Sequence, residues 1–298
     1  METPSVISLY DSLRTNWKSL IRDFPAEAEY VFTLMTLGYS WDSILVYYIL
    51  RHNGVKSAKR KYKLFGEVGY RPADIDTSKA YRRYLLTLRD GREVEVRVCD
   101  LLGRRFKSLK KALSNVPDEG VRLERPLGKF RARYAENLLD MPLKVWMECT
   151  SLAVSYDATK DNAHLRKLAL CLYEYERKGT PDPFNVDIIT TCAVWWWLSA
   201  NREMAHRFPL VFASPKKQPA ADEEEEPDPE LKNYPSQGRM INEHIEMLNM
   251  LLYDLTDGDI LKEEAVAEQT VERCFVKLQL ERKNGNRIAG SGHPQNPS

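Results

Sequence analysis

The chain has 298 residues, of which 43% are hydrophobic and 29% are charged, and its formal net charge is +1. Its 15 Tyr, 9 Phe and 6 Trp supply large apolar side chains, which exclude a globally disordered chain. No apolar run approaches the roughly 20 residues of a membrane-spanning helix, and the N-terminal residues lack the basic and apolar regions of a signal peptide. We therefore expect an intracellular protein, cytoplasmic or nuclear, that does not contact a membrane.

The near-neutral net charge conceals a local imbalance. Residues 51–133 contain 23 Lys/Arg and 10 Asp/Glu, a surplus of 13 positive charges, so the rest of the chain carries a net charge of −12. The densest acidic block is Asp222–Glu226. A basic segment between acidic flanks is typical of a surface that meets an anion, most often a nucleic acid.

Three helices are predicted in the N-terminal segment, because its apolar residues recur at the spacing of one helix face. Pro25 suits the first turn of the second helix, where its missing N–H would have no intrahelical partner. Gly38 marks the end of this helix. Ser40 is positioned to cap a third helix that ends at Asn53-Gly54.

The clearest β-hairpin lies in residues 84–98, where two β-rich runs flank Asp90-Gly91, a tight-turn dipeptide. An isolated two-stranded hairpin is only marginally stable, so it must pack on another element. Apolar residues recur at helical spacing in residues 106–113. A hairpin–helix unit is therefore predicted at about residues 80–115.

Helical patterns return after Ala132 and are interrupted by the breaker Thr180–Pro183. Residues 186–198 are almost wholly apolar and include Trp195–Trp197. Three adjacent indoles point to all sides of a helix, so we predict that this helix is central to the core. Residues 207–212 are predicted either as a docking strand for a partner or as a segment that folds back onto the core.

These patterns predict a mainly α fold with a β-hairpin insertion (α+β), in which a helical core is followed by a tethered C-terminal helical pair. The Pro-rich acidic segment after the core buries too little apolar area to offset the entropy of ordering it. The predicted divisions are a helical core at 1–213 containing the hairpin–helix unit, an acidic Pro-rich linker at 214–238, an amphipathic helical pair at 239–283 and a disordered tail at 284–298.

Two dense groups of basic residues are the candidate nucleic-acid-binding sites. The first group is predicted on one helical face beside an aromatic side chain for base stacking, and it consists of Lys56, Lys59, Arg60 and Lys63 with Tyr62. The second group lies at the start of the short helix, where backbone N–H groups also attract anions, and it consists of Arg104, Arg105, Lys107, Lys110 and Lys111. The alternative is that both groups are solvated surfaces balanced by the acidic flanks.

Two short segments resemble parts of nucleic-acid-binding families. Residues 92–98 followed by 103–112 resemble hairpin-plus-helix DNA-binding modules such as AP2-like domains, although the signature of the third strand is absent. The sequence Gly66-Glu67-Val68-Gly69 resembles the GxxG loop of KH domains, which clamps a nucleic-acid backbone, but that family favours a basic residue where this chain has Glu67. For this second segment we favour a simple turn before Arg71-Pro72.

No residue spacing predicts a catalytic or metal site. The cysteines are scattered and never in a CxxC spacing, which favours buried free thiols over disulfides. The five histidines lie far apart, and the acidic residues around Gly258 do not match the register of a calcium loop. Asp257 or Asp259 is instead expected to cap the next helix. The chain also lacks a P-loop, a GxSxG elbow and a dinucleotide fingerprint, so we predict a non-enzymatic protein without cofactor or metal.

The leading hypothesis is a non-enzymatic nucleic-acid-binding protein that contacts phosphate groups through its basic central region. The alternative is a protein–protein interaction or assembly adaptor that docks a partner or self-associates through Met240–Leu280. The combination of helical core, acidic linker and amphipathic tail is also typical of a viral or mobile-element accessory protein. A third hypothesis is autoinhibition, in which Asp222–Glu226 occupies the basic surface until nucleic acid displaces it.

Overall fold

The structure is a computed structural model that describes residues 8–64, 67–212 and 237–290. Within these residues α-helices dominate, and the strands form a four-stranded and a two-stranded sheet, so the prediction of a mainly α, α+β fold is confirmed. The chain divides into two compact units, which are described separately. Unit 1 comprises Met1–Pro117, Val121–Phe130 and Arg177–Trp195, and unit 2 comprises Asp118–Gly120, Arg131–Glu176 and Trp196–Ser298.

Unit 1 combines N-terminal helices with the larger sheet. Its N-terminal helices are α1 (Trp17–Asp23), α2 (Pro25–Thr36), α3 (Trp41–His52), α4 (Val98–Leu101) and α5 (Arg104–Leu113). Its strands are β1 (Ser57–Leu64), β2 (Glu67–Pro72), β3 (Arg83–Thr87) and β4 (Glu93–Arg97), and short 3-10 turns occur at Ser8–Tyr10 and Pro126–Gly128.

The ends of the N-terminal helices confirm the local sequence signals. Pro25 is the first residue of α2, and Gly38 follows that helix with a left-handed φ of 74°. The Ser40 side chain caps α3 by accepting a hydrogen bond from the Ser43 N–H at 3.3 Å. The helix ends with Asn53 as its C-cap, as predicted.

The predicted hairpin is half of a larger antiparallel sheet with the strand order β2-β1-β3-β4. Gly91, with φ 86°, lies in the turn between β3 and β4, as predicted. The prediction that Lys56–Lys63 is helical is wrong, because residues 57–64 form β1 and cover the open edge of β3. Of the segment predicted as a turn before Arg71, residues 67–69 lie in β2, whose first residue, Glu67, pairs with Leu64 at the end of β1, and Gly66 lies outside the described residues.

Aromatic side chains form the centre of unit 1. The ring of Trp17 stacks on Phe32 with 4.8 Å between centroids and lies 5.3 Å from the ring of Trp195. The Trp17 indole N–H donates to the carbonyl oxygen of Leu113 at 2.9 Å, so α5 is tied to α1. This anchoring fixes which side of α5 faces solvent.

The remaining elements lie wholly or partly in unit 2. The helices are α6 (Leu143–Thr159), α7 (Asn162–Leu172), α8 (Pro183–Arg207), α9 (Pro209–Phe212), α10 (Gln237–Thr256), α11 (Glu263–Ala267) and α12 (Val271–Gly290). The strands β5 (Phe130–Ala132) and β6 (Tyr173–Tyr175) form the small sheet, and a 3-10 turn occurs at Ile260–Lys262. The division between the two units falls inside α8, and the predicted division into a core at 1–213, a linker and a helical pair stays a prediction.

The tryptophan triplet packs into cores, as predicted. Trp196 is 0% exposed and Trp197 is buried in unit 2, where the Trp197 ring lies 6.5 Å from that of Trp146. Trp195 belongs to unit 1, where it meets Trp17. Successive helical residues point about 100° apart, which explains why adjacent indoles reach different neighbours.

The C-terminal helices contact other helices of unit 2. α10 contacts α6, where the Ser151 Oγ lies 3.4 Å from the His244 Nε2. On α12, Phe275 is completely buried, and its ring lies 5.1 Å from that of Trp146. Asp259 caps the 3-10 turn by accepting from the Leu261 N–H at 3.1 Å, as predicted for this break.

Three boundaries differ from the sequence expectations. The second helix of the pair predicted at 239–283 is interrupted before α12, where Thr270 forms a β-bridge with Pro142. α12 then runs to Gly290, past the predicted start of the tail, since extending a formed helix costs little. Residues 209–212 form α9 rather than a strand, and Phe212 packs on Phe275 with 5.5 Å between ring centroids. Most of the predicted linker, including its acidic block, lies outside the described residues.

Candidate nucleic-acid interface

The solvent face of α5 is basic. Phe106, Leu109 and Leu113 are buried, which fixes the inner face of this helix. Arg104, Lys107 and Lys111 are exposed on the opposite side, at spacings of three and four residues. We call these three residues the α5 cluster. Among the described residues, neither Lys107 nor Lys111 forms an ion pair, so their charges are not neutralised within this part of the chain.

The two other basic residues of α5 hold the helix in place. Arg105 pairs with Asp11 at 2.9 Å, and Lys110 pairs with Asp42 at 2.8 Å. All four side chains are substantially exposed, so each pair contributes at most about 1 kcal/mol. The structure therefore divides the second predicted group. Arg104, Lys107 and Lys111 face solvent, whereas Arg105 and Lys110 form ion pairs with other elements of unit 1.

The first turn of α5 is suited to an anion. It contains no acidic residue, and its N-cap, Gly103, provides no side-chain acceptor for the exposed N–H groups. A groove of about 600 Å³ adjoins this turn. Its polar lining consists of Tyr10, Thr15, Arg104, Arg105 and Ser108. The first turn of α5 and the side chains of Arg104 and Arg105 thus line one opening, where Arg105 is already paired with Asp11.

The first predicted group alternates between two faces of β1, since side chains of a strand point to opposite faces in turn. Lys59 and Lys61 share one face, and Arg60 and Tyr62 share the other. Lys56 is exposed just before β1, and its backbone N–H donates to the Thr87 carbonyl at 2.8 Å. Lys63 lies in β1, but its side chain is outside the described part of the structure.

On the first face of the sheet, Glu95 is surrounded by donors. The Lys61 Nζ lies 2.9 Å from its carboxylate, the Arg83 guanidinium lies 3.2 Å away, and the Tyr70 hydroxyl donates at 2.9 Å. The hydrogen bond from Lys61 lowers the pKa of Glu95, with further contributions from Tyr70 and Arg83. The single carboxylate of Glu95 thus pairs with two cations, Lys61 and Arg83. Lys59 adds a further positive charge on the same face.

On the second face, three side chains form what we call the sheet cluster, namely Arg60, Tyr62 and Arg71. Arg60 lies directly opposite Arg71 in the β1–β2 pairing, and the Arg71 guanidinium lies 5.9 Å from the centre of the Tyr62 ring. Within the described residues, neither arginine forms an ion pair, and the Arg60 Nε is buried without a hydrogen-bond acceptor. Like charges placed directly opposite each other destabilise a sheet.

Sequence reasoning missed Arg71 and Arg83. Both are brought to the predicted residues by strand pairing, Arg71 from β2 and Arg83 from β3. The GxxG interpretation also fails here, since residues 67–69 lie in β2 with Gly69 opposite Tyr62.

The described part of the chain holds no group of three or more His, Cys, Asp or Glu residues placed to bind a metal ion. None of the helices described is both long enough and apolar enough to cross a membrane. No family model, curated protein or solved structure matches the chain. Function must therefore be inferred from the geometry of the two clusters.

Proposed function

We propose that this protein is a non-enzymatic, intracellular nucleic-acid-binding protein that contacts phosphate groups through the sheet cluster and the α5 cluster. The observation that carries this proposal is the pair Arg60 and Arg71, which lie opposite each other in the β1–β2 pairing and form no ion pair within the described residues. An internal structural role would provide an acidic partner. A phosphate supplied from outside would remove the repulsion between the two guanidinium groups.

The chemistry of each cluster suits a nucleic-acid backbone. Guanidinium groups bind phosphate oxygens with two parallel hydrogen bonds, and the 40% exposed ring of Tyr62 offers a surface on which a base can stack. The α5 cluster presents cations from successive turns of one helix. We propose contact with the sugar–phosphate backbone of DNA or RNA, in cytoplasm or nucleus.

A fluorescence titration with labelled 20-nucleotide single strands and duplexes tests this proposal. The variants are Arg60→Gln/Arg71→Gln in the sheet cluster and Lys107→Gln/Lys111→Gln in the α5 cluster. We expect each double variant to bind about tenfold more weakly at low salt, because counterion release supplies most of the binding free energy. The slope of log K against log salt concentration is expected to fall by about 1 for each cation removed.

The matched control is Arg82→Gln/Arg92→Gln, which removes the same charge from the same unit at positions already paired with Asp76 and Asp90. This control is expected to bind almost as tightly as the unmodified protein. Equal losses in the control and the cluster variants would indicate a nonspecific effect of net charge. Failure of the unmodified protein to bind any of the probes at low salt would overturn the proposal.

A second candidate function is self-association through α10, which is a narrower version of the adaptor hypothesis. Met250 is 68% exposed and Tyr253, one turn later, is 66% exposed, while Leu261 in the following 3-10 turn is 93% exposed. Adjacent exposed apolar side chains often mark protein contacts, although isolated ones are common. Since α10 and α12 contribute to the core of unit 2, deleting residues 214–298 would not test this function cleanly.

Point substitutions on α10 provide the cleaner test. Sedimentation equilibrium over a range of protein concentrations is expected to show an oligomer whose mass falls towards that of a monomer in Met250→Ser/Tyr253→Ser. Both side chains are exposed, so folding is expected to change by less than about 0.5 kcal/mol. Ile245→Ser, at a 47% exposed position of the same helix, serves as the control. A monomer at every concentration would exclude this second function.

A further inference from the structure

Three side chains near the N-terminus of unit 1 form a hydrogen-bonded chain. The Ser12 Oγ lies 2.8 Å from the His52 Nε2, and the His52 Nδ1 lies 3.0 Å from a carboxylate oxygen of Glu27. Ser12 lies in the turn after the first 3-10 turn, His52 is the last residue of α3, and Glu27 is in the first turn of α2. Three segments that are distant in the sequence thus supply a hydroxyl, an imidazole and a carboxylate in this order.

The carboxylate fixes the proton positions in this chain. An ionised carboxylate only accepts hydrogen bonds, so the His52 Nδ1–H donates to Glu27. In the neutral imidazole the Nε2 then carries the lone pair, and the Ser12 hydroxyl donates to it. Transfer of the hydroxyl proton to Nε2 produces an imidazolium beside the Glu27 carboxylate and in the last turn of α3, where the helix dipole favours a positive charge. His52 is therefore placed to act as a base for Ser12.

Packing holds the imidazole in this orientation. The His52 side chain is 7% exposed, and its ring meets that of Phe24 edge-on with 5.2 Å between centroids and lies 6.1 Å from the ring of Tyr48. Burial raises the pKa of Tyr48 to about 12, so this neighbour carries no charge at neutral pH. The cation that lies over the Phe24 ring, Arg14, is paired with Asp23 at 2.8 Å. The imidazole is thus held by its neighbours, with a carboxylate on one nitrogen and a hydroxyl on the other.

The backbone on both sides of Ser12 is tied to the end of α3. The Asn53 side-chain amide donates to the carbonyl oxygen of Leu9 at 2.8 Å, and the Arg14 N–H donates to the Tyr48 hydroxyl at 3.2 Å. Ser12 itself is exposed, so water is available to its hydroxyl. A structural tether between α2 and α3 would need only the imidazole and the carboxylate. The exposed serine on the Nε2 is the feature that such a tether does not explain.

We propose that Ser12 is a modification site that takes an acyl group from activated carboxylic esters, with His52 as its base and Glu27 as the residue that positions the base. A hydroxyl is a weak nucleophile until a base takes its proton, and a serine–histidine–carboxylate chain provides such a base. The inference concerns one acyl transfer onto Ser12 without turnover. It goes beyond the proposed nucleic-acid binding and does not depend on it, because Ser12 belongs to neither basic cluster.

With p-nitrophenyl acetate as the acyl donor, the step balances. The Ser12 Oγ attacks the carbonyl carbon of the ester while its proton passes to the His52 Nε2, so an O–C bond forms and the carbonyl π electrons move to the oxygen. The carbonyl group then re-forms, the bond to the p-nitrophenyl oxygen breaks, and p-nitrophenolate leaves with the electron pair. The imidazolium gives its proton to the leaving group through solvent. In sum, one serine and one ester give one acetylserine and one p-nitrophenol.

The experiment treats the full-length protein with p-nitrophenyl acetate and follows the acetylation of individual peptides by mass spectrometry. Ser108 is the internal reference, because it is exposed in the same unit but donates to the Arg104 carbonyl oxygen at 3.3 Å rather than to a base. We expect Ser12 to be acetylated about 100-fold faster than Ser108, which is the acceleration that a positioned base provides. The Ser12 reaction is also expected to slow in deuterium oxide, because a proton moves during the attack.

Two substitutions separate the base from the residue that positions it. His52→Gln is expected to lower the Ser12 rate to about that of Ser108 and to remove the solvent isotope effect. Glu27→Gln keeps the size and hydrogen-bonding capacity of the side chain, so a merely structural role predicts no loss. Removal of the negative charge is instead expected to slow acetylation about tenfold at an unchanged unfolding midpoint. The control is His206→Gln, which removes an exposed imidazole from unit 2 and is expected to react like the unmodified protein.

Two results would overturn the inference. One is acetylation of Ser12 no faster than that of Ser108 in the unmodified protein, a comparison that requires no variant to fold. The other is a Ser12 rate that His52→Gln leaves unchanged. Circular dichroism spectra verify that the helices of each variant are intact. If His52→Gln loses its helices, the solvent isotope effect of the unmodified protein takes its place, and absence of this effect at Ser12 overturns the inference equally.

Discussion

Trp196→Ala is expected to lower the free energy of unfolding by about 3–5 kcal/mol, one of the two largest effects predicted for this chain. The indole of Trp196 is completely buried in unit 2, and its N–H donates to the carbonyl oxygen of Glu136 at 2.7 Å. Its ring also meets the edge of the Tyr173 ring at 5.4 Å. The substitution removes the packing, leaves a cavity and leaves a buried carbonyl without its donor.

Urea denaturation followed by far-UV circular dichroism measures this loss. Leu198→Ala is the control, because Leu198 lies on the same helix and is 46% exposed; its effect is expected to stay within about 1 kcal/mol. Trp196→Phe keeps part of the packing without the N–H donor and is expected to fall between the two. An unfolding midpoint for Trp196→Ala equal to that of the unmodified protein would show that this indole is not central to the core.

The features that could be predicted from the sequence are those set by neighbouring residues. The first turn at Pro25, the cap at Ser40 and the turn at Gly91 each depend on the chemistry of one or two residues, and each is found where predicted. The burial of Trp196 and Trp197 was also predictable, because most of the neighbouring residues on this helix are apolar. Signals of this kind locate helices and turns and the residues at which they begin or end.

The features that could not be predicted depend on pairing between distant segments. The lysines and arginines of β1 conceal its period of two, since Lys59 and Lys61 alternate with Arg60, which is equally basic. The register that places Arg60 opposite Arg71 is not visible in the sequence. The sequence therefore indicated a basic region correctly, but it assigned the wrong secondary structure to half of it and missed one member of the sheet cluster.

The state of the cysteines could be predicted from the sequence. A scattered set of five cysteines predicts free thiols, and the structure shows them free.

Gly120→Ala is expected to destabilise the protein by about 2–3 kcal/mol, although the new side chain is a single methyl group. A Cβ built on Gly120 would lie 2.5 Å from the carbonyl oxygen of Glu136 and 3.1 Å from its carbonyl carbon. Both clashing atoms belong to the backbone, so no rotamer change relieves them. The control is Asp118→Ala, which introduces the same residue in the same loop at an exposed position that makes only a 3.5 Å pair with Arg202.

The carbonyl group of Glu136 links this prediction to the first one. It accepts the Trp196 N–H, so any shift that makes room for a methyl group at position 120 weakens that hydrogen bond. The two substitutions therefore act on one contact, and their effects are not expected to add. In the double variant Gly120→Ala/Trp196→Ala we expect a total loss smaller than the sum of the single losses by at least about 0.5 kcal/mol. Strict additivity in urea denaturation would show that the two residues act independently of the Glu136 carbonyl.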